Sequence, residues 1–490
     1  MSTPIATKVA LAQVDINNFN PVLCPREIFR AYDIRGIVDE NLTPAIAYTL
    51  GLAVGTRAHQ ENMTHFVVAR DGRLSSPALT DALILGLTRS GMTVTDIGAV
   101  PSGVLYFACH YLNIGAGIMV TGSHNPKAYN GFKILFHFNA LSEKVLQQIY
   151  AISAAQHFHY GSGQVIKQDV GFAYLDTIAQ KINLKRPLKI VCDAGGGIAG
   201  PLALALYEKL GCEVIPLYCE VDGHFSHHHP NPSQLENLQD LIAKVKITQA
   251  DLGLAFDGDG DRLGVVTAQG EIIWPDRQLM LFAQDVLGRH PGATILYDVK
   301  CSRHLAQVVQ AAGGCAQMVR TGHSFVKAAL KETGAILAGE MSGHVFFTED
   351  WYGFDDGLYT GARLMELLTR DVRTLNQIWQ SLPNSINTPE INIEIADAEK
   401  FITLEKLLAS ANFLDATLIT LDGVRVEFAQ GWGLVRASNT MPCLVTRFEA
   451  ETQLHLEQIQ MQIGLWLLSI KSDLHLPFYK GDEDAEITHT

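Results

Sequence analysis

The chain has 490 residues, enough for about three domains at roughly 150 residues each. Hydrophobic residues make up 47% and charged residues 18%, so several full cores can be buried, which excludes a small stapled module or a disordered tail protein. The formal charge of -14 excludes a general nucleic-acid binder, and an anionic ligand would have to be held by a local cluster of positive groups.

The eight cysteines are scattered with no Cys-x-x-Cys pair, and several sit in apolar runs, so they are expected to be reduced core thiols. Met1–Asn20 lacks a basic segment followed by an apolar stretch, and no run approaches 18 apolar residues. A cytoplasmic protein without membrane or nucleic-acid partners is therefore expected, as a monomer or, alternatively, a dimer.

In chain order, a β-rich run Phe66–Arg70 ends at Asp71. A helix follows with Ser76 as N-cap, Pro77 in the first turn and Gly91 as stop, and then a strand Met92–Ile97. The same pattern recurs twice. Lys189–Cys192 ends at Asp193, a helix opens near Pro201 and stops at Gly211, and Cys212–Tyr218 is strand-like. Thr294–Tyr297 ends at Asp298, a helix runs from about Ser302 to Gly313, and Cys315–Val319 follows.

Each unit then supplies an apolar strand that runs into a polar loop. Gly117–Val120 leads to Thr121-Gly122-Ser123-His124-Asn125-Pro126, Leu252–Phe256 to Asp257-Gly258-Asp259-Gly260-Asp261-Arg262, and Ala335–Ala338 to Gly339-Glu340-Met341-Ser342-Gly343-His344. This repeat predicts an α/β fold of three similar domains with mainly parallel sheets, whose ligands sit at the carboxyl ends of the strands. A composition shift at Ser385–Glu394 opens a smaller fourth piece, which carries Arg436-Ala437-Ser438-Asn439-Thr440. The expected domains are 1–168, 169–271, 272–383 and 384–490.

Asp257, Asp259 and Asp261 repel one another, and a divalent cation would offset that repulsion. A solvated acidic turn is the bland alternative. An EF-hand fails, because Arg262 and Ala268 stand where Gly and Glu are required. Few carboxylates completed by phosphate oxygen suit Mg²⁺, and Arg262 beside them suggests that an anion shares the site. Ser123 is a candidate nucleophile, though its loop read alone is an ordinary Ser/Asn/Pro turn. The Glu340 loop suits sugar hydroxyls and proton transfer, and the Arg436 loop suits a phosphate; each, read alone, is as often a plain polar loop.

Two further motifs carry less. Gly195-Gly196-Gly197-Ile198-Ala199-Gly200 fits a dinucleotide fingerprint, but the equivalent loops of the other units have no glycine pattern, which favours a structural turn. His224, His227, His228 and His229 could ligate a metal, yet among Pro230, Asn231 and Pro232 they read as a polar loop.

Taken in order, Tyr32–Gly36, Thr121–Pro126 with Gly131–Lys133, Asp257–Arg262, Thr321–Ser324, Gly339–His344 and Arg436–Thr440 resemble the motifs of the α-D-phosphohexomutase family, over nearly the whole chain. They are most similar to its bacterial phosphomannomutase/phosphoglucomutase branch. The resemblance implies three α/β domains and a smaller α+β, TBP-like C-terminal domain around a central cleft. It implies that Ser123 becomes phosphoserine and that its phosphate binds Mg²⁺ together with Asp257, Asp259 and Asp261.

By the same resemblance Arg262 lies at this centre, Glu340 and Ser342 read sugar hydroxyls, and Arg436, Ser438, Asn439 and Thr440 clamp the substrate phosphate. Tyr32, Arg35, Lys133, Lys300, His323 and His344 match other cleft residues, with Lys133 and His344 as a proton-transfer pair. The implied activity interconverts hexose 6-phosphate and hexose 1-phosphate of mannose or glucose through a hexose 1,6-bisphosphate.

Glucosamine-phosphate relatives usually carry Gln in place of Met341 and Ala in place of Gly260, which argues against a phosphoglucosamine mutase, the alternative within the family. A Mg²⁺-dependent phosphatase using Ser123 and a catalytically dead sugar-phosphate binder are the rivals outside it.

Overall fold

The computed structural model describes residues 19–438 and 441–479. Asn439, Thr440, the first eighteen residues and the acidic tail from Lys480 lie outside the described residues. The chain forms two compact units. The first comprises the described residues up to Tyr174 together with Gly196–Ile198 and Val221–His229; the second comprises Leu175–Gly195, Ala199–Glu220 and the described residues from Pro230.

The first unit holds one sheet, in the order Ile34–Ile37, Tyr129–Phe136, Gly117–Val120, His65–Arg70, Thr93–Ala99 and Val165–Lys167, with Asn139–Ala140 pairing Tyr129–Phe136. The second unit holds three sheets. One runs Ile272–Ile273, Leu263–Thr267, Leu252–Phe256, Lys189–Asp193, Glu213–Leu217. The next runs Cys315–Val319, Thr294–Asp298, Leu337–Gly339, Val345–Phe347. The last is antiparallel, in the order Ile386–Asn387, Cys443–Ala450, Gly431–Ala437, Val424–Phe428, Thr417–Ile419, with Ile391–Glu394 also pairing Cys443–Ala450.

The first three sheets share one pattern. His65–Arg70, Lys189–Asp193 and Thr294–Asp298 each lie between two parallel neighbours. In each sheet the later of those neighbours then turns back into an antiparallel strand. Crossover helices link the parallel strands, as the repeated strand–helix–strand pattern predicts. Among the described residues no helix is long and apolar enough to cross a membrane.

The helix boundaries differ slightly from expectation. The helix Ser76–Arg89 takes Ser75, not Ser76, as its N-cap residue. Ser76 is already engaged, its hydroxyl donating to Asp71 Oδ1 at 2.5 Å. Similarly, the helix expected from Ser302 begins at His304. Ser302 is held by a backbone bond to Asp276 Oδ2 (3.0 Å) and a hydroxyl bond to Glu449 Oε1 (3.0 Å).

The helix Pro44–His59 starts with Thr43 as cap and Pro44 in its first turn, which suits a residue without an N–H. It carries Gly51 in its interior, a choice that costs about 1 kcal/mol relative to alanine. The reason is its packing on Ser76–Arg89. A Cβ on Gly51 would lie 2.3 Å from Leu83 O, and one on Gly86 would lie 2.2 Å from Tyr48 O. The two backbones meet where neither can carry a side chain. Replacing Gly86 with valine should therefore destabilise the fold by about 2 kcal/mol or more, read as a fall of several degrees in Tm. An unchanged Tm would show that the helices separate at little cost.

Candidate active site

The three polar loops occupy the same place in three sheets, each between the last parallel strand and its antiparallel return. Ser123 follows Gly117–Val120, the aspartates follow Leu252–Phe256, and Glu340–His344 follows Leu337–Gly339. Tyr32, Arg35, Ser123 and Lys133 belong to the first unit; the other described candidates belong to the second.

In the first unit Ser123 is buried and has φ +48°, in the left-handed region. Its N–H donates to Thr121 Oγ1 at 2.8 Å, and Thr121 in turn donates to Asp71 Oδ2 at 2.8 Å. Ser123 Oγ lies 3.2 Å from His124 Nδ1. Arg35, opposite Gly131 in the antiparallel pair, donates to Asn125 Oδ1 and Asp33 Oδ2, both at 2.6 Å. Lys133 is buried on Tyr129–Phe136, opposite Met119, and Tyr32 sits in the bend before Ile34–Ile37. A hydroxyl on a strained turn and two buried cations suit an anionic group attached to or approaching Ser123.

In the second unit Asp257, Asp259 and Asp261 are fully buried, with ligand oxygens all within 4.8 Å of one another. Asp257 Oδ1 accepts from the N–H groups of Asp261 (3.1 Å) and Arg262 (3.2 Å), which folds the loop back on itself. Arg262 Nε lies 3.8 Å from Asp257 Oδ2 and donates to His344 Nε2 at 3.1 Å. His344 Nδ1 in turn lies 3.5 Å from Asp261 Oδ1 and 3.1 Å from Asp355 Oδ2. Three buried carboxylates gathered this closely form an oxygen-only donor set that fits a hard divalent cation such as Mg²⁺.

Backbone bonds lock this loop to the next sheet, with Leu263 N donating to Gly343 O (3.2 Å) and Gly357 N to Gly260 O (3.0 Å). Asp355 is the buried anion at the centre, with Lys327 Nζ at 2.7 Å and His323 Nδ1 at 3.7 Å. Burial alone would raise its carboxyl, but Lys327, His344 and His323 outweigh burial and hold it well below the usual carboxylate range. Burial pushes Glu340 up, against the opposing pull of His344. Glu340 is fixed by Gly322 N–H on Oε1, and Ser342 lies at the turn beside it with its carbonyl accepting from Ser233 Oγ.

The loop after Thr294–Asp298 and the antiparallel sheet supply further cations. Burial would depress the Lys300 ammonium, yet Glu390, 2.6 Å away, and Asp298 keep it above its ordinary value. Arg425 donates to Val299 O (2.6 Å) and Cys301 O (2.7 Å), and Arg447 donates to Lys300 O, so three successive carbonyls around Lys300 are anchored. Arg436 donates to Asp422 Oδ2 at 2.9 Å, and the same oxygen accepts from Thr321 N at 3.2 Å. Ser438 Oγ accepts from Met441 N at 3.0 Å. Asn439 and Thr440 themselves lie outside the described residues.

Sequence reasoning missed Asp33, Asn125, Lys327, Asp355, Glu390 and Asp422. Asp355-Asp356 precedes the helix Gly357–Arg370, and Asp356 caps that helix through Tyr359 N, so the pair reads as capping in one dimension. Among the described residues two groups could hold a metal ion, the three aspartates and the set Asp261, His344, Asp355; His224–His229 joins neither. The glycine run near Ile198 is tied to the histidine loop, Asp222 N donating to Gly196 O at 2.8 Å.

Known families match all four parts of the chain. The phosphoglucomutase/phosphomannomutase alpha/beta/alpha domains I, II and III match residues 26–159, 173–270 and 274–386, and the C-terminal domain matches 390–464. The chain is 51% identical over 458 residues to the phosphomannomutase/phosphoglucomutase of Pseudomonas syringae pv. tomato, covering 94% of this chain and 98% of that one. It is 52% identical over 439 residues to the phosphoglucomutase of Neisseria gonorrhoeae, covering 89% and 95%. The crystal structure of a phosphoglucomutase/phosphomannomutase family protein from Burkholderia thailandensis superposes with a TM-score of 0.88 at 49% identity, covering 92% and 99%.

Asp259→Asn removes one charge with little change of shape. It should lower Mg²⁺ affinity at least roughly tenfold in titration calorimetry and abolish the rise in Tm that Mg²⁺ produces. Unchanged affinity would mean that the cation binds elsewhere.

Proposed function

The chain belongs to the phosphoglucomutase/phosphomannomutase family and is a phosphohexomutase enzyme; we propose that it interconverts hexose 6-phosphate and hexose 1-phosphate, with glucose and mannose as the sugars. The phosphomannomutase/phosphoglucomutase and phosphoglucomutase names of its relatives support that choice over glucosamine. The observation that carries the mechanism is the buried set of Asp257, Asp259, Asp261, Arg262 and His344, whose neighbouring charges and imidazole suit phosphoryl transfer.

Phosphorylated Ser123 donates its phosphoryl group to the free hydroxyl of the sugar phosphate. The P–Oγ bond breaks, a P–O bond to the sugar forms, and the sugar hydroxyl gives up its proton to His344 or Lys133. The product is the hexose 1,6-bisphosphate. The sugar turns over, its other phosphate returns to Ser123, and the proton returns to the oxygen that is released.

Asp257, Asp259 and Asp261, with the phosphate on Ser123, would hold Mg²⁺, which when bound offsets charge on the transferring group. Arg262 and Arg35 offset the rest. Glu340 and Ser342 accept from or donate to sugar hydroxyls, with His323 and Tyr32 as further substrate-binding residues. Arg436, Ser438, Asn439, Thr440 and Lys300 grip the phosphate that is not reacting. A hydrolase gains little from that second grip, which favours a mutase over a phosphatase.

We further read the chain as four domains, 1–168, 169–271, 272–383 and 384–490, in keeping with the four family matches. The free state of all eight cysteines fits a reducing cytoplasm, and a monomer acting on small sugar phosphates completes the assignment.

A coupled assay with glucose 1-phosphate and mannose 1-phosphate, Mg²⁺ and trace hexose 1,6-bisphosphate tests the activity. Isomerisation should far outpace phosphate release, and intact mass should show one phosphoryl adduct that Ser123→Ala removes. The same variant should lose turnover by at least about a thousandfold. Phosphate release faster than isomerisation would instead make the protein a phosphatase.

A further inference from the structure

Ser123 sits in a backbone conformation that a non-glycine residue keeps only when its surroundings hold it there. A single buried side chain does most of the holding. Arg73, 2% exposed, donates through Nη2 to Ser123 O (2.7 Å) and Asn125 O (2.6 Å), and through Nη1 to Pro126 O and Tyr129 O (both 2.9 Å). Its Nε lies 3.2 Å from Asp71 Oδ2, the oxygen that also accepts from Thr121 Oγ1 and Gly122 N. Asp71 thus balances the charge of Arg73 and ties down the start of the same turn.

The carbonyl that Arg73 leaves out, His124 O, is bonded to His229 Nε2. A ring nitrogen facing a carbonyl must carry the proton, so His229 is the donor. Burial lowers the affinity of this imidazole for a second proton. His229 belongs to the loop Val221–His229, which Asp222 orders by accepting from His224 N and Ser226 N, both at 2.9 Å. The same loop lays Phe225 against Arg73, with the guanidinium carbon 5.2 Å from the ring centre. The histidine-rich segment, which in sequence suggests a metal site or an idle loop, therefore lies against the Ser123 turn. On the turn's own side a Cβ at Gly122 would lie 2.5 Å from Arg73 Cζ, so the loop is shaped to this arginine.

We infer that Arg73 and His229 are positioning residues for phosphoryl transfer, holding the Ser123 turn in the one backbone shape that can receive and release a phosphoryl group. The inference rests on Ser123 as the phosphoryl carrier. Its physical basis is the carbonyl oxygens of residues 123–126. A phosphoserine brings about -1.5 to -2 charge, which any carbonyl turned toward it would repel. Arg73 and His229 engage all four carbonyls in succession. A planar five-donor fork can serve several carbonyls at once, which an ammonium cannot.

The test uses the full-length enzyme and its Arg73→Lys, His229→Ala and His229→Gln variants. For each, the rate at which glucose 1,6-bisphosphate phosphorylates Ser123 is followed by rapid quench and intact mass, beside kcat, KM and Tm. Arg73→Lys should slow loading and kcat by roughly a hundredfold and His229→Ala by roughly tenfold, with KM for glucose 1-phosphate within about twofold. His229→Gln, whose amide can donate to His124 O, should recover most of the loss.

Folded variants that load Ser123 at the parental rate would overturn the inference, as would a lowered Tm with unchanged loading. Should Arg73→Lys fail to fold, the contrast between His229→Ala and His229→Gln decides alone. A parent enzyme that takes no phosphoryl group on Ser123 would overturn the carrier assignment itself, a result that no Arg73 or His229 variant can mimic.

Discussion

Three carboxylates withdrawn from water within five residues are the constraint around which the second unit is organised. Burying one such charge without compensation costs several kcal/mol, and like charges at this spacing add to the cost. The chain answers first with its own backbone, turning the N–H groups of Asp261 and Arg262 onto Asp257. It answers next with Arg262 and His344, brought from different sheets and joined by a hydrogen bond. The interlock between Gly260 and Gly357, and between Leu263 and Gly343, keeps the two loops in that relation.

One supersecondary plan serves three chemistries. In each α/β sheet the turn after the last parallel strand carries the candidate site residues: a hydroxyl in the first, carboxylates in the second, and a carboxylate with an imidazole in the third. The ends of parallel strands are open to ligands because the crossover helices cover the faces of the sheet and not its carboxyl edge. The fourth sheet follows no such plan. It is antiparallel, and its contribution is Arg425, Arg436 and Arg447, buried cations projecting from its strands.

The repeat and its three loops were legible because periodicity, turn chemistry and charge coincide there. A strand ending in Asp257-Gly258-Asp259-Gly260-Asp261 has few structural explanations. The supporting residues were not legible for a physical reason: each is a single side chain whose partner is distant in sequence. Asp355 looks like half of a helix cap, Asp422 like a turn residue, and Glu390 like part of a linker. Arg73 followed a strand in a loop without a glycine pattern and drew no attention, though it bonds to Ser123 from fifty positions away. The cap shift from Ser76 to Ser75 has the same origin, since Asp71 claims the hydroxyl that local rules assign to capping.

Asp422 gives Arg436 of the antiparallel sheet a resting partner, and Glu390 gives one to Lys300 in the loop after Thr294–Asp298. Arg436 is held by Asp422 and Lys300 by Glu390, each through a direct ion pair. On the proposed reading, a phosphate arriving at these cations would meet no bare positive charge and would trade places with a carboxylate already seated there. The net gain on entry would then be only the difference between two ion pairs, and the same carboxylates would reclaim the cations as the phosphate leaves. For the proposed reaction, whose intermediate would let go at one end, swing round and be caught again by the other, a grip that exchanges is worth more than a grip that is tight.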